Sequence, residues 1–414
     1  MQLGDIVNEA ALGAGKPLDG VRILAIETMQ ALPFATQLLG RLGADVLKVE
    51  PLGRGDLARG SQPAVADDRG RSIGATFLRN NLSKRSIAVD LKRPEGRDLV
   101  LGLAPGYDVF AENSRAGASS RLGLGFDDVR AHRADVVYLS VSGFGNTVET
   151  PYRDWPAFAP IVEAMSGIYA FKSPPGKPPV VAPVGALGDI GTALFATVGL
   201  LAALRQRDRT GEAQYVDIAM LDAMVAMTDI VTNLWSMGLR GGDLGAFILH
   251  GFAARDGWFI VQVGREDAFA RLADAVGHAE WVDDPRFATR QGWIDNLDGT
   301  IRPAIEHWAA AMTKVEASAA LSAAGVAAGP CFADEEVVAD EHVAARDMLV
   351  ECRRDDGVDQ PILVPGNPVR IAGVAQGPER RVPWLGEHTD AVLTDELHLP
   401  PARIADLRSA GVVG

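Results

Sequence analysis

The run Gly185-Ala186-Leu187-Gly188-Asp189-Ile190-Gly191-Thr192 sets one carboxylate among glycines, directly ahead of an apolar helical stretch. An aspartate just before the first helical residue reads as an N-cap, its oxygen accepting from orphan backbone N–H groups. The same N–H groups and the helix dipole favour an anion there, and small neighbours let a ligand come close. A carboxylate placed in this way can act as a nucleophile toward an acyl group. The plain alternative, a capping residue and nothing more, predicts the same local structure. On the capping reading, Asn or Ser at position 189 is expected to change stability by less than about 1 kcal/mol.

Other chemistries find less support. Gly13-Ala14-Gly15-Lys16 resembles the end of a phosphate loop but lacks the Ser or Thr after the lysine and follows no strand. Gly143-Phe144-Gly145 follows a strand-like run without the third glycine of a dinucleotide fingerprint. The seven histidines show no metal-ligand spacing, so no metal is expected, and His388 reads as a structural residue. There is no Gly-x-Ser-x-Gly elbow, which weighs against a serine hydrolase. The net charge of −14 opposes a nucleic-acid partner, because duplex binding needs a dense basic face; a phosphate-bearing ligand must then be held by local basic clusters. Cys331 and Cys352 stand far apart, which argues against a disulfide framework and for a reducing compartment. Asp5 and Glu9 replace the basic flank of a targeting leader, and the apolar run Ile190 to Leu204 falls short of the roughly 20 residues of a membrane span. A soluble cytoplasmic protein is expected.

The elements that must position Asp189 are legible as alternating short β-branched runs and helical segments. Val21 to Ile26, Asp45 to Val49, Ser86 to Val89, Asp108 to Phe110 and Val136 to Val141 read as strands of a parallel sheet built from βαβ units, and Gln214 to Ile218 further on is strand-like. Phe34, Leu38, Leu39 and Leu42 repeat at helical spacing before Gly43. A second helix is expected from Ile190 to about Arg207, with Leu194, Val198 and Leu201 on one face and Gly211 as its stop. The composition then shifts: a Met-rich helical stretch to Met237, glycines at 238, 241, 242 and 245, and a hairpin around Asp256-Gly257. The domain reading is a large α/β domain over residues 1–225, a small α+β domain over 226–330, and a return to the large domain over 331–414.

Several separated segments run in order from about Leu18 to Val413: Leu18-Asp19-Gly20-Val21-Arg22, Leu42 to Pro51, Ser83-Lys84-Arg85-Ser86-Ile87, Asp90 to Arg97, Ser142-Gly143-Phe144-Gly145, Gly188-Asp189 with Thr210-Gly211, Asp283 to Phe287, and Leu385-Gly386-Glu387-His388-Thr389. Together they resemble the family III CoA-transferases (CaiB/BaiF family), which include formyl-CoA transferase, carnitine CoA-transferase and the α-methylacyl-CoA racemases. The resemblance implies a Rossmann-like large domain that binds coenzyme A, a smaller α+β domain, and an interlocked homodimer with its active site at the domain junction. It implies acyl-CoA and a carboxylic acid as substrates, no metal, no membrane, and a covalent intermediate on Asp189.

By the same resemblance Gln30 matches a glutamine lining the site, and Ala31 contributes its backbone. Lys84 and Arg121 match basic positions that hold CoA phosphates, and Asn113 matches a residue near the nucleotide. Gly241 to Gly245 is either a lid or a flexible connector. Two departures stand out: Asn113-Ser114-Arg115-Ala116-Gly117 lacks the usual aromatic, and Pro156-Ala157-Phe158-Ala159 replaces Pro-Gly-Tyr-Asp. No histidine lies between His132 and Asp189, which weighs against a two-base racemase. The alternatives carried forward are an α-methylacyl-CoA racemase and a non-catalytic acyl-CoA-binding protein.

Overall fold

Apolar runs covered on both faces form the inner strands of a parallel sheet, and a half-buried run closes one edge. In the computed structural model they are β1 (Arg22–Ile26), β2 (Asp45–Pro51), β3 (Arg85–Val89), β4 (Val109–Glu112), β5 (Val137–Ser142) and β6 (Gln214–Ala219), ordered β3-β2-β1-β4-β5-β6 and all parallel. The structure describes every residue except 68, 172–177, 180, 182–185, 229, 239–245 and 355. The Gly241 to Gly245 segment therefore lies outside the described residues. The chain forms two units, Met1–Ser236 with Ala345–Gly414, and Met237–Ala344.

The helices that matter in the first unit are α1 (Ala31–Arg41), α2 (Ala75–Asn80), α3 (Pro94–Leu103), α4 (Ala118–Arg121), α5 (Phe126–His132), α6 (Ala159–Met165), α7 (Leu187–Thr210) and α8 (Met220–Ala226). Alternate residues of each strand feed two cores. Ile23, Ala25, Val46, Val109 and Leu139 pack beneath α1 and α7, while Leu24, Leu47, Val49, Phe110 and Tyr138 pack beneath α3 and α5 on the other face. Strand order reverses between β1 and β4, and Ile26 lies opposite both Val49 and Glu112. The central strands thus finish side by side at a topological switch point, where open α/β sheets bind ligands.

α7 departs from expectation in two ways. It begins at Leu187, not Ile190, and ends at Thr210, where Gly211 takes the left-handed conformation (φ 71°) and donates its N–H to the Arg207 carbonyl. Its buried face is the small-residue stripe Ala193, Ala196, Leu200 and Leu204, whereas Leu194, Val198 and Leu201 are 49, 64 and 37% exposed. By length and composition α7 is apolar enough to cross a membrane, but its alanine stripe is packed against α1 and the sheet.

The Leu385 to Thr389 segment shields β3, an edge strand. Ser86 N donates to His388 Nδ1 (3.2 Å) and Ala88 N to Thr389 Oγ1 (3.1 Å), so these side chains occupy a sheet edge that would otherwise stay open. The second unit holds the antiparallel strands β7 (Ile248–Ala254), β8 (Gly257–Val263) and β9 (Ala327–Pro330), joined to short helices by a core of Phe252, Phe259, Phe269, Trp281 and Trp293.

Candidate active site

Asp189 is the third residue of α7, not its N-cap; Ala186 holds that position and Asp189 makes no capping bond. The capping work comes from elsewhere. Glu163 of α6, itself buried, accepts the Gly188 N–H at 2.8 Å, and the Tyr169 hydroxyl donates to its other oxygen. An orphan amide of the first turn is thereby satisfied by a side chain distant in sequence, which lets the helix start three residues early. Glycine suits this close approach: a Cβ at position 188 would lie 3.0 Å from Val162 Cγ2 and 3.1 Å from Ala159 Cα.

The consequence is electrostatic. Burial, and secondly the charge of Glu163, push the Asp189 pKa from 3.8 up to about 6. This corrects the expectation that the helix terminus favours the ionised form: withdrawal from water and a like charge outweigh it. Asp189 still carries its charge at pH 7, but as a more basic carboxylate than an exposed one. Glu163 was missed by sequence reasoning, although a lone acid in the apolar turn Ile161-Val162-Glu163-Ala164-Met165 is a signal for a buried, partnered carboxylate.

Gln30 and Ala31 begin α1 at the carboxyl end of β1, and no side chain caps this helix. The preceding loop is clamped from two sides. Asn113, just past β4, accepts the Thr28 N–H and donates to the Thr28 carbonyl, both at 2.9 Å. Asp56 accepts from the Thr28 hydroxyl (2.7 Å) and the Met29 N–H (2.8 Å), holding Met29 at φ 64°, a strained conformation for a side chain of that size. Asn113 thus spends its amide on shaping the loop that presents Gln30. Asp56 was not foreseen.

Lys84, which precedes β3, reaches the same region from beneath the first turn of α1. It is buried, and its ammonium donates to Glu27 Oε1 (2.6 Å), the Pro33 carbonyl (2.9 Å) and Asn81 Oδ1 (3.0 Å). An ammonium has three donors, so a phosphate would have to displace one of these partners. Burial chiefly, and the neighbouring Lys48 charge, push its pKa down to about 8 despite Glu27. Lys84 also lines a cavity of about 420 Å³, together with Lys16, Arg41, Asp45, Arg85 and Glu379, at the strands' starting edge. Arg121, in contrast, is exposed beside the loop after β4, with a single long contact to the Ala116 carbonyl (3.4 Å) among the described residues. That loop is set by the buried Glu112, which accepts from Ser140, Ser119 and the Ser114 N–H.

Gln30, Ala31, Asn113 and Arg121 follow the carboxyl ends of β1 and β4, Asp189 opens the helix that leads to β6, and the Lys84 ammonium lies beneath the first turn of α1. The site is thus a doubly wound α/β unit with an unusually basic carboxylate at the carboxyl edge of its sheet. The family model for CoA-transferase family III matches residues 18–389, and the chain belongs to that family. It is 33% identical to the succinyl-CoA–D-citramalate CoA-transferase of Chloroflexus aurantiacus over 96% of this chain and 98% of that protein. It is 32% identical to the succinate–glutarate CoA-transferase of Agrobacterium fabrum, over 92% and 95%. A CaiB/BaiF family protein from Brucella suis has the same fold, with a TM-score of 0.78 and 30% identity over 92% of this chain and all of that one. The protein is a CoA-transferase.

Proposed function

We propose that this enzyme moves CoA from succinyl-CoA or a similar acyl-CoA to a second carboxylic acid through covalent intermediates on Asp189. The observation that carries the reading is the Asp189 carboxylate itself, half-buried, uncapped and held at a pKa of about 6 where the central strands end. Its oxygen attacks the thioester carbonyl, the C–S bond breaks, and CoA leaves as the thiolate with an aspartyl–acyl anhydride behind it. The thiolate then attacks the aspartyl carbonyl and releases the donor acid, leaving an aspartyl-CoA thioester. The acceptor carboxylate attacks that thioester, giving a second anhydride and freeing the thiolate once more. Attack of the thiolate on the acceptor's acyl carbon yields the new acyl-CoA and restores Asp189. Each step exchanges one activated acyl group for another, so no ATP enters.

The unspent N–H groups at the start of α1 and the Gln30 amide are donors for the oxyanion of each step, and Arg121 is a cation for a CoA phosphate. Relatives named for succinyl-CoA with citramalate or glutarate support a dicarboxylic acid at one end of the exchange. The decisive experiment is mass spectrometry after incubation with succinyl-CoA alone: the peptide carrying Asp189 should gain CoA, and glutarate should discharge it. An unmarked Asp189 peptide in an enzyme that turns over would assign the nucleophile elsewhere.

The same reading includes a homodimer of interlocked chains in the cytoplasm. It is supported by the bare apolar face of α7, where Leu194, Phe195, Val198 and Leu201 are exposed together, and by two unpaired cysteines. Sedimentation equilibrium should give twice the chain mass of 43.8 kDa at micromolar concentration, and cell fractionation should place the protein with soluble cytoplasmic markers.

A further inference from the structure

Several arginines withdrawn from solvent in the first unit are matched by carboxylates: Arg41 by Glu379, Arg59 by Glu50, Arg85 by Asp45 and Glu396, Arg207 by Asp108. Arg79, on the last turn of α2, is not. It is partly buried, yet among the described residues its guanidinium has neither an ion pair nor a hydrogen bond; its backbone carbonyl accepts from Gln37 Nε2 at 2.8 Å. Burial without a counter-charge pushes its pKa down. A partly desolvated cation with no anion is costly, and two buried carboxylates of this unit are already taken: Glu27 faces Lys48 and Lys84, and Asp56 faces Lys48.

The direction of the side chain says where the missing anion comes from. Gln37, which holds the Arg79 backbone, is in the second turn of α1, whereas the guanidinium lies over the ring of Phe34, 5.4 Å from its centroid, in the first turn. Arg79 therefore runs back along α1 toward the helix start. Phe34 N in turn donates to the Gln30 carbonyl at 2.9 Å. The guanidinium therefore lies over the first turn of α1, the turn that Gln30 opens.

We propose that Arg79 grips the second, unreacting carboxylate of a dicarboxylic substrate while Gln30 and Asp189 engage the reacting one, and so selects diacids over monoacids of equal length. This rests on the transferase reading of the Asp189 edge. A guanidinium suits the task because its planar fork takes a carboxylate through two parallel N–H bonds, and the Phe34 ring keeps water from competing on one side. The anion would also neutralise a cation the fold has left unmatched, so binding and relief of the desolvation cost act together.

The test compares glutarate with valerate, both five-carbon acids, as acceptors from butyryl-CoA, a donor with no second carboxylate. Arg79→Met should lower kcat/KM for glutarate by about 10- to 100-fold, the loss of a charge-assisted pair, and leave valerate unchanged. Arg79→Lys should recover part of the difference, since it restores charge but not the fork. Saturation-transfer NMR on the same proteins gives a readout without turnover: glutarate should displace valerate from wild type and not from Arg79→Met. Parallel loss of both acids, unchanged use of glutarate, or no preference in wild type overturns the assignment. If wild type transfers CoA to neither acid, the Asp189 reading fails on its own, while the NMR comparison still decides the role of Arg79.

Discussion

Asp189→Asn is expected to abolish CoA transfer while making the protein more stable at pH 8, by on the order of 2–3 kcal/mol. The two effects share one cause. Burial first, and the Glu163 charge second, hold the folded-state pKa at about 6 against an ordinary 3.8, so folding favours the protonated carboxyl. For such a group the favourable contribution is complete below pH 3.8 and is lost as pH rises through about 6. Above pH 7 wild type bears the full cost of a desolvated anion, and Asn does not. Urea unfolding of both proteins should therefore show a gap at pH 8 that closes at pH 4. Glu163→Gln is the internal control. Its amide oxygen can still accept the Gly188 N–H, so the helix start survives while the like charge disappears. The acid limb of wild-type activity should fall near pH 6, and in Glu163→Gln it should move lower, part of the way only because burial remains. An Asn variant no more stable than wild type at pH 8 would mean that the carboxylate is better solvated than its surroundings imply. The earlier expectation of a change below about 1 kcal/mol assumed a capping bond that Asp189 does not make.

That reversal shows where a sequence stops being informative. The inner strands were readable because burial on both faces leaves near-continuous runs such as Val137 to Val141, and each observed strand starts and ends within about two residues of its reading. The start of α7 was not readable, because Gly188 suggests a turn; what makes it helical is Glu163, 25 residues upstream, whose contact leaves no local trace. Exposed Leu194 and Val198 misled for a related reason: periodicity finds an apolar face but cannot say what covers it. Asn113 was flagged by resemblance as lying near a nucleotide, yet its amide brackets Thr28, a pairing across 85 residues. For Lys84 the sequence did hold a usable clue. Lys48 and Glu50 sit inside an apolar strand and Glu27 ends another, and buried charges of that kind need partners that the segment from Ser83 to Ser86 supplies.

Lys84→Met should accordingly act on stability, costing about 3–5 kcal/mol, before it acts on CoA affinity. Removing the ammonium leaves Glu27, fully buried, with Lys48 at 3.4 Å as its remaining cation, and strips a donor from both Asn81 and the Pro33 carbonyl. Pro33 belongs to the first turn of α1, so the same loss loosens the helix that presents Gln30. If the damage comes from the stranded carboxylate, Glu27→Gln combined with Lys84→Met should recover most of the stability, since Lys48 keeps Asp56 at 2.7 Å and the remaining pair is neutral. Independent effects at the two positions would instead add. A direct phosphate contact predicts the opposite pattern: a melting temperature unchanged in Lys84→Met, a raised KM for acyl-CoA, and no rescue by the second substitution. Three donors already bound to protein oxygens within 3.0 Å are the reason to expect the first outcome, because a phosphate entering here must break a buried ion pair before it gains a contact.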